Sequence, residues 1–193
     1  MNFSFLVLHV SLFMRAIIAG RGGHPLTMRN FLLGSWEALG HVGQALIELW
    51  PVKPPSAPAF IQVQTNGHKH MHDLTAEVAR IVNESGVRSG VAHISNVGST
   101  AAIGTIEFEP GLQEDLPNML DKLFPPSRDY GHEHAWHDGN GHSHLQATML
   151  GPSLTVPIKD RKLVLGTWQQ IFHLECDIKS RRRTVAITVM GDS

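Results

Sequence analysis

The sequence predicts an α+β fold in which helices pack on a largely antiparallel sheet. Two segments with apolar residues at helical spacing, 73–85 and 112–123, lie in the middle of the folded part of the chain. Several short alternating segments, typical of strands, follow in the last forty residues. Helices in the middle and a β-rich end favour helices segregated from an antiparallel sheet, within one domain.

The composition indicates a globular chain. It has 193 residues, 42% of them hydrophobic and 17% charged, with a formal net charge of −1. Because this charge gives no basic field, we expect no nucleic-acid partner and no membrane partner. Cys176 is the single cysteine, which excludes a disulfide framework and favours a reducing, cytoplasmic compartment. The 13 histidines point to metal binding or proton transfer near neutral pH.

Residues 1–58 are predicted to be an N-terminal extension that is poorly ordered or partly helical. Four of the eight residues in 51–58 are prolines, which predicts an extended linker. The apolar run 3–14 has no basic residue before it and is shorter than the roughly 18 residues of a membrane span, so we interpret it as part of an extension. Residues 59–193 form the predicted domain.

The first half of this domain is predicted to be strand, helix and strand. Residues 60–65 alternate between apolar and polar side chains, as in a strand. A helix is expected to begin at Asp73 or Thr75 and to stop at Gly86. Residues 87–100 are strand-like.

The second half is predicted to be a helix followed by short strands. Pro117 indicates that the regular helix begins near Asp115. The predicted strands are 154–158, 162–165, 168–176 and 183–190. In the third of them, Cys176 falls on the face suited to a core, whereas His173 and Glu175 fall on a polar face that can line a cleft.

Segment 130–144 is the densest chemical feature of the sequence. It contains five histidines: His132, His134, His137, His142 and His144. Glycines interrupt its middle, so the first half is predicted to be a loop, and a helix can begin at His144. Neutral imidazoles converging from a loop and a helix can bind zinc or a similar ion. The alternative is a solvated polar loop that takes up metal only adventitiously.

Three further segments carry candidate chemistry. Histidines 68, 70 and 72 would share one face of a strand, either to chelate an ion or as an exposed polar face. Ser99 and Thr100, with acids nearby, can bind a phosphate or Mg²⁺, or can form a tight turn beside solvated acids. The guanidinium groups of 181–183 can bind a phosphate, although at least one of them must face solvent.

Three stretches of the chain together resemble the YjbQ family. They are Asp115-Leu116 in its context, residues 141–158, and residues 163–171 with the sequence Gly-Thr-Trp-Gln at 166–169. The resemblance runs from about residue 60 to residue 191. The family consists of secondary thiamin-phosphate synthases and uncharacterised proteins. The resemblance therefore implies a compact α+β domain, a homotrimer, a divalent metal ion and a weak ability to join a pyrimidine diphosphate to a thiazole phosphate with loss of pyrophosphate.

The resemblance also implies roles for individual residues. The implied catalytic residues are Glu107, Asp115, Arg181 and Arg183. The implied substrate-binding residues are Ser99, Thr100, Asn140, Gly166, Thr167, Trp168 and Gln169. The familiar branch of the family has a histidine where this chain has Gly98. We expect His142 to compensate, so that the metal ligands are His132, His142 and His144.

Three functions stay open on these residues. The first is a metal-dependent enzyme of the YjbQ type that acts on a phosphorylated metabolite. The second is a hydrolase in which zinc activates water. The third is a protein that binds a metal or a phosphometabolite without catalysis. The identity of the ion separates these functions, because Mg²⁺ prefers oxygen ligands whereas zinc accepts imidazole.

Overall fold

The computed structural model describes residues 57–193, so the predicted extension 1–58 lies, but for its last two residues, outside the described part of the chain. Eight strands and four helices follow one another in this part. In chain order they are β1 (Ala59–Gln64), β2 (Met71–Asp73), α1 (Thr75–Ser85), β3 (Ser89–Val97), β4 (Ala101–Ile106), α2 (Pro110–Leu123), α3 (Glu133–Trp136), α4 (Gly141–Leu150), β5 (Ser153–Lys159), β6 (Lys162–Leu163), β7 (Gln170–Glu175) and β8 (Arg182–Asp192).

The strands form two antiparallel sheets, which confirms the predicted α+β fold. The first sheet has the order β1-β8-β3-β5-β6, and the second has the order β2-β7-β4. In the first sheet, buried and exposed side chains alternate regularly. On β8, Val185, Ile187 and Val189 are buried, while the residues between them are partly exposed. One face of this sheet therefore contributes to the core.

Helix α1 covers the first sheet and matches its predicted bounds. Val78 and Val82 are fully buried on one face and belong to the main apolar cluster. Asp73 Oδ1 accepts a hydrogen bond from the Thr75 N–H at 2.8 Å, which satisfies one free donor of the first turn. The helix ends at Gly86, whose φ of +76° is the left-handed conformation that favours glycine at this position.

Helix α2 begins five residues earlier than predicted. The carboxylate of Glu109 accepts hydrogen bonds from the N–H groups of Gly111 and Leu112, and Pro110 occupies the first helical position, where a missing N–H costs nothing. Pro117 therefore lies inside the helix, where it is buried. The predicted start near Asp115 was wrong because the capping carboxylate, and not the proline, sets the helix boundary.

Strand β3 ends earlier than predicted, and the next strand, β4, was not predicted. Gly98 has a φ of +145°, at which the chain leaves the first sheet. The following strand pairs with β7 in the second sheet. Ala101, Ala102 and Ile103 at its start are all buried, so it shows a short continuous apolar run instead of the alternation that marks a half-exposed strand.

Strand β7 separates two apolar clusters, and both of its faces are buried. Ile171 belongs to the main cluster under the first sheet, whereas Phe172, Leu174 and the following Cys176 belong to a second cluster with α2 and α4. The polar face predicted to line a cleft is thus enclosed in the protein. Cys176 is a small core residue, as predicted, and burial raises the pKa of its thiol to about 12.

Among residues 57–193, no helix combines the length and the apolar character needed to cross a membrane.

Candidate functional site

A buried ion pair lies where β7 and β8 approach each other. Glu175 is fully buried, and the Arg183 Nε donates to its Oε2 at 2.7 Å. The hydroxyl of Thr65 donates to the same oxygen at 2.8 Å, and the Asp177 N–H donates to Oε1 at 2.9 Å. Each carboxylate oxygen therefore has hydrogen-bond donors, which a buried charge requires.

Asp177 extends this pair toward the surface. Its Oδ2 accepts from Arg181 Nε at 3.0 Å and Nη2 at 2.7 Å, and from the Thr100 hydroxyl at 3.2 Å. Burial raises the pKa of Asp177, but hydrogen bonds from the Lys179 N–H and from Arg181 outweigh it, so the pKa is lowered and the group is an anion. The half-exposed Arg181 guanidinium thus connects the buried network to solvent.

Two histidine rings and a carboxylate lie close together where the loop 130–140 meets helix α4. The ring of His144, on α4, lies 4.6 Å from the ring of His132, centroid to centroid. The Asp138 Oδ1 is 3.5 Å from His132 Nε2 and, although buried, accepts no hydrogen bond from a described residue. Burial lowers the pKa of His144, and His132 lowers it further, while Asp138 and Asp177 oppose the shift. His144 is therefore neutral at pH 7, with a lone pair on its ring.

His142 has different neighbours from the other two predicted metal ligands. It is two residues from His144 on a helix, so the two side chains point in nearly opposite directions. Its ring lies 5.4 Å from that of His68 and 6.3 Å from that of Tyr130. Burial lowers its pKa, as does His68, while Asp121 and Asp177 oppose the shift. Its Nδ1 is buried and has no hydrogen-bond partner among the described residues.

A histidine–aspartate pair that the sequence analysis missed lies next to His142. The His68 Nε2 is 2.8 Å from Asp121 Oδ1, and its Nδ1 is 3.2 Å from the carbonyl oxygen of Cys176. Both neighbours are hydrogen-bond acceptors, so the ring lies between two oxygen atoms that an imidazole N–H can bond. Lys69 and Gln146 also donate to Asp121.

The predicted shared strand face of histidines 68, 70 and 72 was wrong. His68 lies in a turn before β2, which begins only at Met71. Its partner Asp121 is 53 residues away on α2, and no local sequence signal indicates such a contact.

The predicted site residues fall into two groups at opposite ends of the second sheet. Ala101 of β4 pairs with Glu175, and Ile106 pairs with Gln170, so the two ends of β4 are about 17 Å apart. Near the first end are Ser99, Thr100, Arg181 and Arg183. Near the second end are Glu107 and the turn of Gly166, Thr167, Trp168 and Gln169.

The second group is held together by side-chain hydrogen bonds. Gln169 Nε2 donates to the Thr105 hydroxyl at 3.0 Å, and Gln169 Oε1 accepts from the Gly166 N–H at 3.0 Å. Trp168, in the same turn, is 70% exposed. Asp115 is also exposed, on α2. Within one chain, this group contributes nothing to the arginine and histidine cluster.

The donor set around His132 fits a metal ion in its chemistry. Two imidazoles and a carboxylate are the ligand types that zinc accepts, and the unpartnered Asp138 oxygen and the neutral His144 have free lone pairs. Among residues 57–193, however, no three histidine, cysteine, aspartate or glutamate side chains converge closely enough to hold an ion as they stand. Binding would therefore require these side chains to move closer together. Asn140, predicted to bind substrate, is buried at the start of α4, and its Oδ1 also has no described partner.

A separate groove of about 260 Å³ lies between β1, β8 and α1. Phe60, Arg80 and Glu84 are among the residues that line it, and none of the arginine or histidine cluster does. We place the candidate site at the cluster, because its buried charges and unpartnered polar atoms point to a ligand, whereas the groove has neither.

Comparison with known proteins connects the described part of the chain to one family. A family model described as "UPF0047 protein YjbQ-like" matches residues 59–192. A UPF0047 protein of Methanothermobacter thermautotrophicus is 36% identical over 131 residues, which are 68% of this chain and 90% of that protein. The UPF0047 protein YugU of Bacillus subtilis is 34% identical over 133 residues, which are 68% of this chain and 97% of that protein.

Solved structures show the same similarity. The crystal structure of a YbjQ-like protein of unknown function from Sulfolobus solfataricus is 35% identical, with a TM-score of 0.64, and the match covers 73% of this chain and 99% of that one. A hypothetical protein from Aeropyrum pernix is 30% identical, with a TM-score of 0.65, and the match covers 71% of this chain and 100% of that one.

Proposed function

Because the chain belongs to the UPF0047 family of YjbQ-like proteins, a family of unknown function, we propose a function from its own side chains: it binds a phosphorylated small molecule together with a divalent metal ion. The observation that carries the proposal is the position of Asp177. This carboxylate is hydrogen-bonded to Arg181. The carbonyl oxygen of the preceding residue, Cys176, lies 3.2 Å from His68 Nδ1, and the His68 ring lies 5.4 Å from that of His142. The arginine and these histidines therefore meet at two consecutive residues of the chain.

Arg181 is the group that we propose to meet the phosphate. Two of its nitrogens hold Asp177, while its side chain stays half-exposed, so its position is fixed and its remaining donors face solvent. A guanidinium group matches the geometry of phosphate oxygens and keeps its charge at any physiological pH. The hydroxyl of Ser99 is exposed at the same end of the sheet.

His132, His144 and Asp138 are the residues that we propose to hold the ion. This set replaces the predicted three-histidine set, because Asp138 and not His142 lies beside the pair of rings. When bound, the ion would supply positive charge to a phosphate or would polarise a bound water. The chain's own contribution is to keep His144 neutral through burial, since only the neutral ring has a lone pair to give.

The reaction that we propose is the joining of a pyrimidine diphosphate and a thiazole phosphate. The bond between the pyrimidine methylene carbon and the diphosphate oxygen breaks, the thiazole nitrogen forms a bond to that carbon, and pyrophosphate leaves. Negative charge accumulates on the departing pyrophosphate. Arg181 can stabilise this charge because its position is fixed before the reaction begins.

A second candidate function is hydrolysis at a zinc ion. It is favoured by one observation, the two imidazoles and one carboxylate around His132, which are donors typical of zinc and not of magnesium. A binding protein without catalysis would use the same residues. Product analysis separates these functions: thiamin phosphate and pyrophosphate for the first, a dephosphorylated metabolite for the second, and neither for the third.

The first experiment is metal analysis of the purified full-length chain by mass spectrometry. We expect a near-stoichiometric divalent ion that is lost in His132→Ala, His144→Ala and Asp138→Ala. His93→Ala is the matched control, since His93 lies on β3 and is hydrogen-bonded to Thr155 instead.

His142→Ala decides between the two ligand sets. Retention of the ion in this variant supports the set with Asp138, and loss supports the three-histidine set that the sequence predicts. A wild-type protein that carries no ion, and takes up none on dialysis against zinc or magnesium, would contradict the metal part of the proposal.

The oligomer that we propose is the homotrimer implied by the family resemblance. A second copy would cover the Gly166–Gln169 turn, whose Trp168 side chain is largely exposed in the isolated chain. A buried tryptophan contributes strongly to interfaces. Light scattering should give three times the chain mass, and Trp168→Ala should lower it; a monomeric wild-type protein would contradict this proposal.

A further inference from the structure

Gly98 brings the backbone of the loop 98–100 close to the buried Arg183 side chain. Its φ of +145° disfavours any residue with a side chain. A Cβ atom at this position would lie 3.2 Å from Arg183 Nη1 and 3.5 Å from Asn96 Nδ2. The absence of a side chain at Gly98 therefore lets the loop backbone lie close to a guanidinium nitrogen, which a larger residue would crowd.

Arg183 has donors that the protein does not use. The residue is only 8% exposed. Its Nε and Nη2 donate to Glu175, and Nη2 also donates to Thr100. Nη1 carries two further N–H groups, and these have no acceptor among the described residues. Nη1 does not belong to the buried unpartnered atoms of the described residues, so it reaches solvent and its two N–H groups are accessible to a ligand.

The loop beside Nη1 adds further donors. The backbone N–H groups of Gly98, Ser99 and Thr100 form no hydrogen bond to the described part of the chain. Consecutive free N–H groups are a common way to bind an anion. The shape of the loop is held from within, since Asn96 Nδ2 donates to the Gly98 carbonyl at 3.1 Å and Asn96 Oδ1 lies 3.2 Å from His173 Nε2.

We propose that Arg183 Nη1 and the loop 98–100 form an oxyanion subsite for a terminal phosphoryl group. The three oxygens of such a group can use the several donors of the loop and of Nη1, whereas a carboxylate offers only two oxygens. The inference rests on the proposed function in one respect, since it names the part of a phosphorylated metabolite that binds beside Asp177. It does not need the metal ion.

The test is calorimetric titration of the full-length chain with inorganic phosphate and with inorganic pyrophosphate, in EDTA and at constant ionic strength. We expect wild-type protein to bind at least one of the two anions. Gly98→Ala should weaken that binding at least tenfold, because the added methyl group would crowd Arg183 Nη1 at 3.2 Å and obstruct its free N–H groups. Binding of pyrophosphate alone would assign the subsite to a diphosphate end, and binding of both anions would assign it to any phosphate ester.

Gly86→Ala is the matched control. Gly86 also has a positive φ, but a Cβ there would meet nothing within 4 Å. It adds a methyl group at a positive φ away from Arg183, so its anion affinity should equal that of the wild type. Equal affinities of Gly98→Ala and wild type would overturn the proposal, as would a wild-type protein that binds neither anion.

Asn96→Asp is a second variant in case Gly98→Ala does not fold. It is nearly isosteric, and it replaces the Nδ2 donor, 3.5 Å from the ideal Cβ position of Gly98, with a negative charge that repels an anion. We expect at least tenfold weaker binding, and unchanged binding would count against the subsite. If the chain holds a metal ion but Gly98→Ala does not change its anion affinity, the subsite is refuted and the metal part of the proposed function is not. If the chain holds no metal ion but Gly98→Ala weakens its phosphate binding, only the metal part of the proposed function is refuted.

Discussion

Among single residues, the buried charges Glu175 and Arg183 are expected to have a large influence on stability. Glu175 is fully buried and Arg183 nearly so, and each relies on the other for compensation of its charge. The desolvation cost of such a pair is close to the energy of its attraction, so the pair adds little net stability as a unit. Removal of one partner is different, because it leaves the other buried without compensation.

Glu175→Ala should therefore lower the free energy of unfolding by about 3–5 kcal/mol. The Arg183 guanidinium would lose two of its hydrogen bonds and stay buried. The double variant Glu175→Leu/Arg183→Met should recover most of this loss, because it removes both charges and fills the space. Urea denaturation followed by circular dichroism measures both effects; a loss below 1 kcal/mol in the single variant would mean that water reaches the pair.

His173 should make the stability depend on pH between 6.5 and about 4. Burial lowers the pKa of this ring from 6.5 to about 4, with Arg183 and neighbouring histidines adding to the effect and Glu175 opposing it. Between these values the unfolded chain binds a proton that the folded chain does not. Stability is therefore intact above pH 6.5 and is lost as the pH falls toward 4, by about 3 kcal/mol.

His173→Gln removes this titration and can still donate a hydrogen bond to Asn96. The quantity to measure is the free energy of unfolding of the wild type minus that of the variant. This difference at pH 7 is compared with the same difference at pH 4.5. Carboxylates titrate in both proteins and cancel in the difference. A difference that does not change with pH would show that the ring is protonated in the folded state.

Among the helices and strands, the sequence predicts those whose ends are determined by residues next to them in the chain. Helix α1 has an aspartate before it and a glycine after it, and β8 alternates along its length, so both were predicted to within two residues of their bounds. Strand β4 has a continuous buried run, and its place in the second sheet depends on pairing with β7, which is about seventy residues away. No local pattern encodes that pairing.

The paired strands β3 and β8 approach closely at two facing glycines. Gly90 and Gly191 are direct partners in the register. A Cβ on Gly90 would lie 2.0 Å from the carbonyl oxygen of Met190, which is an impossible contact with backbone atoms. The strands would have to separate at this point.

Gly90→Ala should consequently destabilise the fold by more than the 1–3 kcal/mol that is typical of overpacking. Gly131→Ala is the control, because a Cβ there meets nothing within 4 Å. Thermal unfolding of both variants gives the comparison. A Gly90→Ala protein as stable as its control would mean that the close approach is relieved by a small shift of the strand end.

For the whole molecule, the described residues contain two apolar clusters of their own, with sixteen buried members in the first and six in the second. Within the same residues, Glu175 accepts hydrogen bonds from Thr65 and Arg183. We therefore expect this part of the chain to fold without the preceding residues.

A fragment of residues 57–193 should therefore fold by itself. We expect one cooperative unfolding transition and a far-ultraviolet circular dichroism spectrum of mixed helix and strand content. The full-length chain is the control. A fragment that unfolds without a cooperative transition would show that residues 1–56 supply part of the core.

The candidate site was predictable in its residue types and not in its arrangement. The histidine-rich segment and the arginines near the C-terminus are visible in the sequence, because unusual composition needs no structure to be recognised. The pair of His68 with Asp121 depends on a contact between segments 53 residues apart. Asp138 lies in the same loop as His132, but its place beside the two rings depends on the fold of that loop. The two groups of predicted residues also lie at opposite ends of one sheet, which sequence order does not reveal.

The burial of Cys176 gives the molecule a built-in chemical reporter of its own opening. The chain has no other cysteine, and this thiol is 1% exposed with its pKa raised to about 12. A thiol-specific reagent can therefore modify the folded protein only through transient exposure of the second apolar cluster. The rate of labelling therefore measures how often that cluster opens, in the natural sequence and without an introduced probe. A ligand bound near Asp177, one residue away, should lower this rate.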